Sequence, residues 1–138
     1  MKEKGRNWRF GAVGNIIKSH IGDDGKTYYG TKAFKGGTKV YLDGKFFPSD
    51  AAQISVIGLN RYGKYAIETV PTALIENVRF KVIHDMTAMK IMDYEEDVEG
   101  WKWWGRTAND KREAKAFVQS WYLRENRKGG NHVRLSND

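Results

Sequence analysis

Between residues 8 and 83 the hydrophobic positions either alternate with polar ones or run in short blocks, and glycine-bearing turns separate the blocks. Alternation with a period of two marks a strand with one buried face. The pattern predicts a first strand over 8–21, bent at Gly11 and Gly14, and a second over 27–34 carrying Tyr28, Tyr29 and Phe34. Between them, Asp23-Asp24-Gly25-Lys26 is a strong hairpin signal, because Asp-Gly readily adopts the backbone angles such turns need. A third strand follows over 38–42, with Val40 and Leu42 on one face. The Asp43-Gly44 turn and a short return strand over 45–47 come next. The block 52–59, with ISVIGL at its heart, is almost continuously apolar and predicts a strand covered on both faces. A loop over 60–64 containing Gly63 leads to a strand over 65–70, one helical turn over 72–77 and a last strand over 78–83. In that last strand Val78, Phe80 and Val82 face one way, and Arg79 and Lys81 the other.

After Ile83 the period changes. Asp85 is placed to cap a helix over 86–97 that lines up Met86, Met89 and Met92, a spacing typical of packing surfaces. Gly100 interrupts the chain. A second helix is predicted over 107–128, with Thr107 as its N-cap and Asp110 complementing the positive helix start. Ala114, Phe117, Val118 and Trp121 form its apolar stripe, Lys111, Arg112, Lys115 and Arg124 take other faces, and Gly129 terminates it. The expected class is α+β in one domain, residues 1–138: a small antiparallel barrel or curved sheet of five to six strands, two C-terminal helices, and a tail over 129–138. The tight glycine hairpins and the single turn TALIEN before the last strand resemble SH3-like barrels over residues 8–83. That resemblance implies a binding fold open to peptides, nucleic acids, proteins or small ligands, so it constrains function little.

Charge narrows the picture. The chain carries a formal net charge of +7, which favours polyanionic partners. The charge is uneven: residues 93–99 hold five acids and no base, while residues 101–138 hold nine bases against four acids. The acidic run reads as helix capping and local charge balance. No apolar run reaches the roughly 20 residues of a spanning helix, and MKEKGRNWRF lacks the apolar stretch of a secretory signal. The expectation is a cytoplasmic protein without a membrane partner. With no cysteine, disulfides and thiolate chemistry are excluded.

Candidate chemistry is sparse. His20, His84 and His132 share no metal-ligand spacing. His84 and Asp85 are adjacent on an extended segment, which points their side chains apart. The acids Glu95, Glu96 and Glu99 have no second cluster to work with. The run from Gly30 to Lys39 is rich in glycine, threonine and lysine but lacks the order of a phosphate loop, and reads as a hairpin with exposed lysines. What stands out is WKWWGRTANDKR, which places Trp101, Trp103 and Trp104 just before a helix start. These tryptophans suit three roles: packing the last helix onto the sheet, forming a protein interface, or stacking on a base while Arg106 and the helix N-terminus hold a phosphate.

The expectation is a non-enzymatic protein, without cofactor or metal, that binds nucleic acid or a nucleotide. Its site residues would be Trp103, Trp104, Arg106, Thr107 and Lys111, with Arg61, Lys64, Arg79 and Lys81 contributing positive charge. The alternative is a small inhibitor of the toxin-immunity or anti-defence kind, acting on an acidic protein target or sequestering a nucleotide signal. Surplus tryptophan and methionine also predict self-association, most simply a dimer through the C-terminal helices.

Overall fold

The structure, a computed structural model, describes residues 9–44, 52–99, 103–104 and 107–127, with the side chains of 93–99 and 124–127 outside that description. The expected strand over 45–47, Trp101, Arg106 and the 129–138 tail lie outside the described residues. The strands are β1 (Arg9–Ile16), β2 (His20–Ile21), β3 (Thr27–Tyr28), β4 (Lys39–Leu42), β5 (Gln53–Leu59), β6 (Tyr65–Pro71) and β7 (Ile75–Ile83). Two helices follow, α1 (Met86–Glu99) and α2 (Ala108–Arg127). The class is therefore α+β. A five-stranded antiparallel sheet runs in the order β6-β5-β4-β1-β7, and β2 and β3 form a separate two-stranded ribbon.

Only the 3-10 turn Thr72–Leu74 separates β6 from β7, yet these are the two edges of the sheet. A flat five-stranded sheet would hold its edges about 19 Å apart. Three residues of 3-10 helix span only about 6 Å. The sheet is therefore strongly coiled, although among the described residues its edges do not pair and the barrel is not closed. Backbone bonds stitch this corner: Thr72 N donates to Ala52 O at 2.8 Å, and Ile17 N to Leu74 O at 2.9 Å.

Side-chain alternation sorts the core onto the two faces of the sheet. Phe10, Ala12, Val40, Leu42, Ile54 and Val56 point to one face, where Ala114, Phe117, Val118 and Trp121 of α2 cover them. Val13, Tyr41 and Ile57 point to the other, where Ala88, Met89 and Met92 of α1 lie. The strand over 52–59 is thus covered on both sides. The expected methionine stripe is split: Met89 and Met92 are buried, while Met86 is exposed. The apolar stripes on which the expectation of self-association rests are largely taken up against the sheet, with Leu123 and Met86 left outside.

Three boundaries differ most from expectation. β1 stops at Ile16 instead of running to residue 21, because Ile17 leaves the ladder to bond Leu74. The strand expected over 27–34 is reduced to Thr27–Tyr28: Gly30 adopts φ 76° and turns the chain, and Phe34 is drawn fully into the core from a loop. The run from Gly30 is accordingly a compact loop and not a hairpin arm. The helical turn expected over 72–77 is shorter, and β7 begins at Ile75. Asn77, at φ 59°, sits opposite the register shift between Val13 and Asn15, so β7 absorbs a bulge there. The anticipated caps form. Asp85 Oδ1 accepts the amides of Thr87 and Ala88 at 2.9 and 3.0 Å, and Thr107 Oγ1 accepts the Asp110 amide at 3.1 Å.

Candidate functional site

The adjacent tryptophans part company. Trp104 bridges to Phe10 of β1, with Phe10 N donating to Trp104 O at 3.3 Å, and this short extended pairing sends successive side chains to opposite faces. Trp104, 4% exposed, packs with Phe117 of α2. Trp103, 2% exposed, lies against Gly11 and meets Tyr41 edge-on at 5.5 Å in the α1 cluster. Each indole thus joins one helix to one face of the sheet, and neither ring is displayed to a ligand. Trp103 Nε1 is buried without a hydrogen-bond partner among the described residues.

The remaining expected residues are dispersed. Thr107 donates its hydroxyl to the Asp110 carboxylate at 2.8 Å, so the start of α2 already faces a negative charge. Lys111 lies over the Phe10 ring at 5.9 Å. Arg79 donates to Asn15 Oδ1 and Asn77 O at 2.9 and 2.8 Å, and Lys81 is exposed opposite Gly11. Lys64 is exposed at the end of the β5–β6 turn, where its amide bonds Asn60 Oδ1.

Arg61 is different. Its guanidinium crosses from that turn to the loop after β3 and donates to the carbonyls of Tyr29, Thr31 and Phe34 at 3.0, 2.7 and 3.2 Å. Its own amide bonds Ala33 O at 3.0 Å. Nη2 serves the Tyr29, Thr31 and Phe34 carbonyls and Nε reaches Lys32 O at 3.4 Å, so one side chain ties two loops into one corner. From β6, Glu68 accepts the Thr31 hydroxyl at 2.7 Å and completes the tie. On this corner Tyr29 and Tyr62 are 70% and 87% exposed, and Lys32, Lys35 and Lys64 are exposed as well.

A cleft of about 480 Å³ opens between this corner and the β2–β3 ribbon. Tyr28 and His20 form one wall, stacked at 5.8 Å and 26°. The Tyr28 ring also crowds Gly22, where a Cβ would lie 2.5 Å away, and its hydroxyl donates to Asp24. That bond, together with the Lys26 amide, holds the Asp24 carboxyl below the usual carboxylate range, and the same carboxylate pushes the Tyr28 phenol up. Tyr29, Lys32 and Glu68 line it as well, and Val70, Pro71 and Leu74 add apolar surface. His20 Nδ1 is buried and unpartnered among the described residues. Of this cleft, sequence reasoning singled out Arg61 alone as a site residue. The visible signal was the pair Tyr28-Tyr29 standing before a glycine and lysine-rich run.

A second polar cluster lies beneath the start of α1. Tyr65 donates to Asp85 and is hydrogen-bonded to Tyr41, over whose ring Lys39 lies at 5.3 Å. Burial first, then the Asp85 charge, pushes the Tyr41 phenol up to about 12, and burial together with the bond to Asp85 raises Tyr65 as well. Both phenols stay protonated at neutral pH, and Asp85 is engaged by Tyr65 and by the helix cap. The cluster ties α1 to β4 and β6, and His84 stands exposed beside it. Among the described residues no group of three or more histidine, aspartate or glutamate side chains is gathered to hold a metal, and no helix is long and apolar enough to cross a membrane. Comparisons with protein-family models, curated proteins and solved structures return no match.

Proposed function

We propose that the chain is a non-enzymatic binding protein for a phosphate-bearing polyanion, nucleic acid or nucleotide, and that its contact surface is the corner built by Arg61. One observation carries this reading. Arg61 fixes two loops that together expose two tyrosine rings and three lysines. Lysines reach phosphates as point charges, and exposed aromatic rings stack on bases of any identity. The net charge of +7 supplies long-range attraction toward such a ligand. The single turn before the last strand and the coiled sheet support an SH3-like barrel as the scaffold. The test is a titration with nucleotides and short oligonucleotides across ionic strength. Binding that weakens linearly on a log-log salt plot is expected, and Lys64→Ala should reduce the slope by about one. Absence of binding at low salt sinks the proposal.

A second reading, an inhibitor docking on an acidic protein, draws on Ile21, which is exposed on the ribbon beside Tyr28 and Tyr29. It predicts capture of an acidic protein through a surface that Ile21→Asp abolishes, while salt-dependent oligonucleotide binding stays absent.

A further inference from the structure

Resting on the polyanion-binding reading, we infer that the cleft between the β2–β3 ribbon and the Arg61 corner captures an unpaired base of single-stranded nucleic acid. The base stacks on Tyr29 and hydrogen-bonds to His20.

The two adjacent tyrosines of the cleft are not equivalent. Tyr28 is committed: its ring is stacked on His20 and crowded against Gly22, and its hydroxyl is held by Asp24. Tyr29 is the free ring, 70% exposed, on a backbone that Arg61 pins through the Tyr29 carbonyl. A platform fixed in this way loses little freedom when a base settles on it. The cleft volume of about 480 Å³ falls in the range of small-ligand sites.

His20 supplies the polar argument. His20 lines the cleft, and its Nδ1, shielded from solvent and unpartnered among the described residues, carries a desolvation cost that a ligand's hydrogen-bonding edge removes once the ring turns toward it. Phosphate oxygens only accept, whereas base edges both donate and accept, so a base can satisfy this nitrogen in either imidazole tautomer. Glu68, half-buried in the same cleft, disfavours a phosphate beside it and leaves the phosphates to the exposed Lys32. A duplex keeps its bases stacked and paired, so it cannot enter without unstacking, whereas a single strand presents its bases freely.

The experiment is fluorescence anisotropy at low salt with a labelled single strand, the duplex made from it, and homopolymers of each base. It is run on the wild type, Tyr29→Ala and His20→Phe. The phenylalanine keeps a ring against Tyr28 while removing both nitrogens, and an unchanged melting temperature establishes that each variant is folded. The expected result is a single strand bound at least about tenfold more tightly than the duplex, a loss of about tenfold in Tyr29→Ala, and weaker discrimination among homopolymers in His20→Phe. Equal affinity for strand and duplex, or strand binding that neither substitution changes, overturns base capture while polyanion binding stands. Binding of no polyanion at all overturns both.

Discussion

Trp103 lies so close to Gly11 that a Cβ at position 11 would stand 2.2 Å from Cε2 of the indole. Trp104 stands in the same relation to Gly44, whose Cβ would fall 1.8 Å from its Cη2. A hydrogen at each glycine Cα leaves room for an indole against the backbone, and a methyl group does not. Gly11→Ala must displace Trp103 and the cluster beneath α1. Gly44→Ala must displace Trp104 on the α2 side. Each should cost about 1–3 kcal/mol by overpacking, read as a lower urea midpoint at an unchanged slope. A midpoint equal to that of the wild type would contradict the packing.

Arg61 holds three loop carbonyls that no other described side chain serves. Arg61→Ala is expected to lower stability by about 1–2 kcal/mol and to speed amide hydrogen exchange around Thr31 and Phe34. Arg61→Lys should recover only part of the loss, since its shorter side chain does not carry the ammonium to the place of Nη2 and lacks the Nε donor that reaches Lys32 O. Full rescue by lysine would show that charge, not geometry, ties the corner.

The Tyr65–Asp85 contact makes stability depend on pH at both ends. The Tyr65 hydrogen bond, assisted by the Ala88 and Thr87 amides, holds the folded-state pKa of Asp85 below its ordinary value. Its contribution is complete above the unfolded pKa of about 3.9 and disappears as pH falls through the lower folded value. Tyr65 and Tyr41 are shifted upward, so their contribution is complete below about 10 and is lost as pH rises through the folded values. Tyr65→Phe should lower the plateau between these limits by about 1 kcal/mol and flatten the acid-side decline. Melting temperatures across pH for the two proteins check this, and parallel curves would remove Tyr65 from the role.

The caps offer a cleaner comparison. Asp85 Oδ1 accepts two amides at the start of α1, and Thr107 Oγ1 accepts one at the start of α2. Thr107→Ala should cost about 1 kcal/mol and Thr107→Asn much less. Chemical denaturation followed by far-ultraviolet circular dichroism separates the two variants. Equal losses would mean that the hydroxyl does not cap.

What the chain reveals without its fold is whatever neighbouring residues decide among themselves. The Asp-Gly turn, the loop with Gly63 at φ 81°, the caps at Asp85 and Thr107 and the apolar stripe of α2 all follow from contacts within a few residues. They were legible for that reason. The same local signals misled at 27–34, where tyrosines and a phenylalanine read as a strand. There Gly30 turns the backbone, and burying Phe34 outweighs strand propensity. The spacing of Trp101, Trp103 and Trp104 suited packing, an interface or stacking alike and did not choose among them. Pairing of Trp104 with Phe10, residues far apart in the chain, gave adjacent indoles opposite faces and separate helices. Nor could spacing show that Arg61 would reach the carbonyls of Tyr29, Thr31 and Phe34, or that His20 and Glu68 would line one cleft. Those contacts exist only because the coiled sheet carries β6 and the β5–β6 turn to the loop after β3. Turns, caps and helical faces are local free-energy choices and belong to the sequence alone; which rings are buried and which displayed is settled by long-range strand pairing and therefore by the tertiary structure.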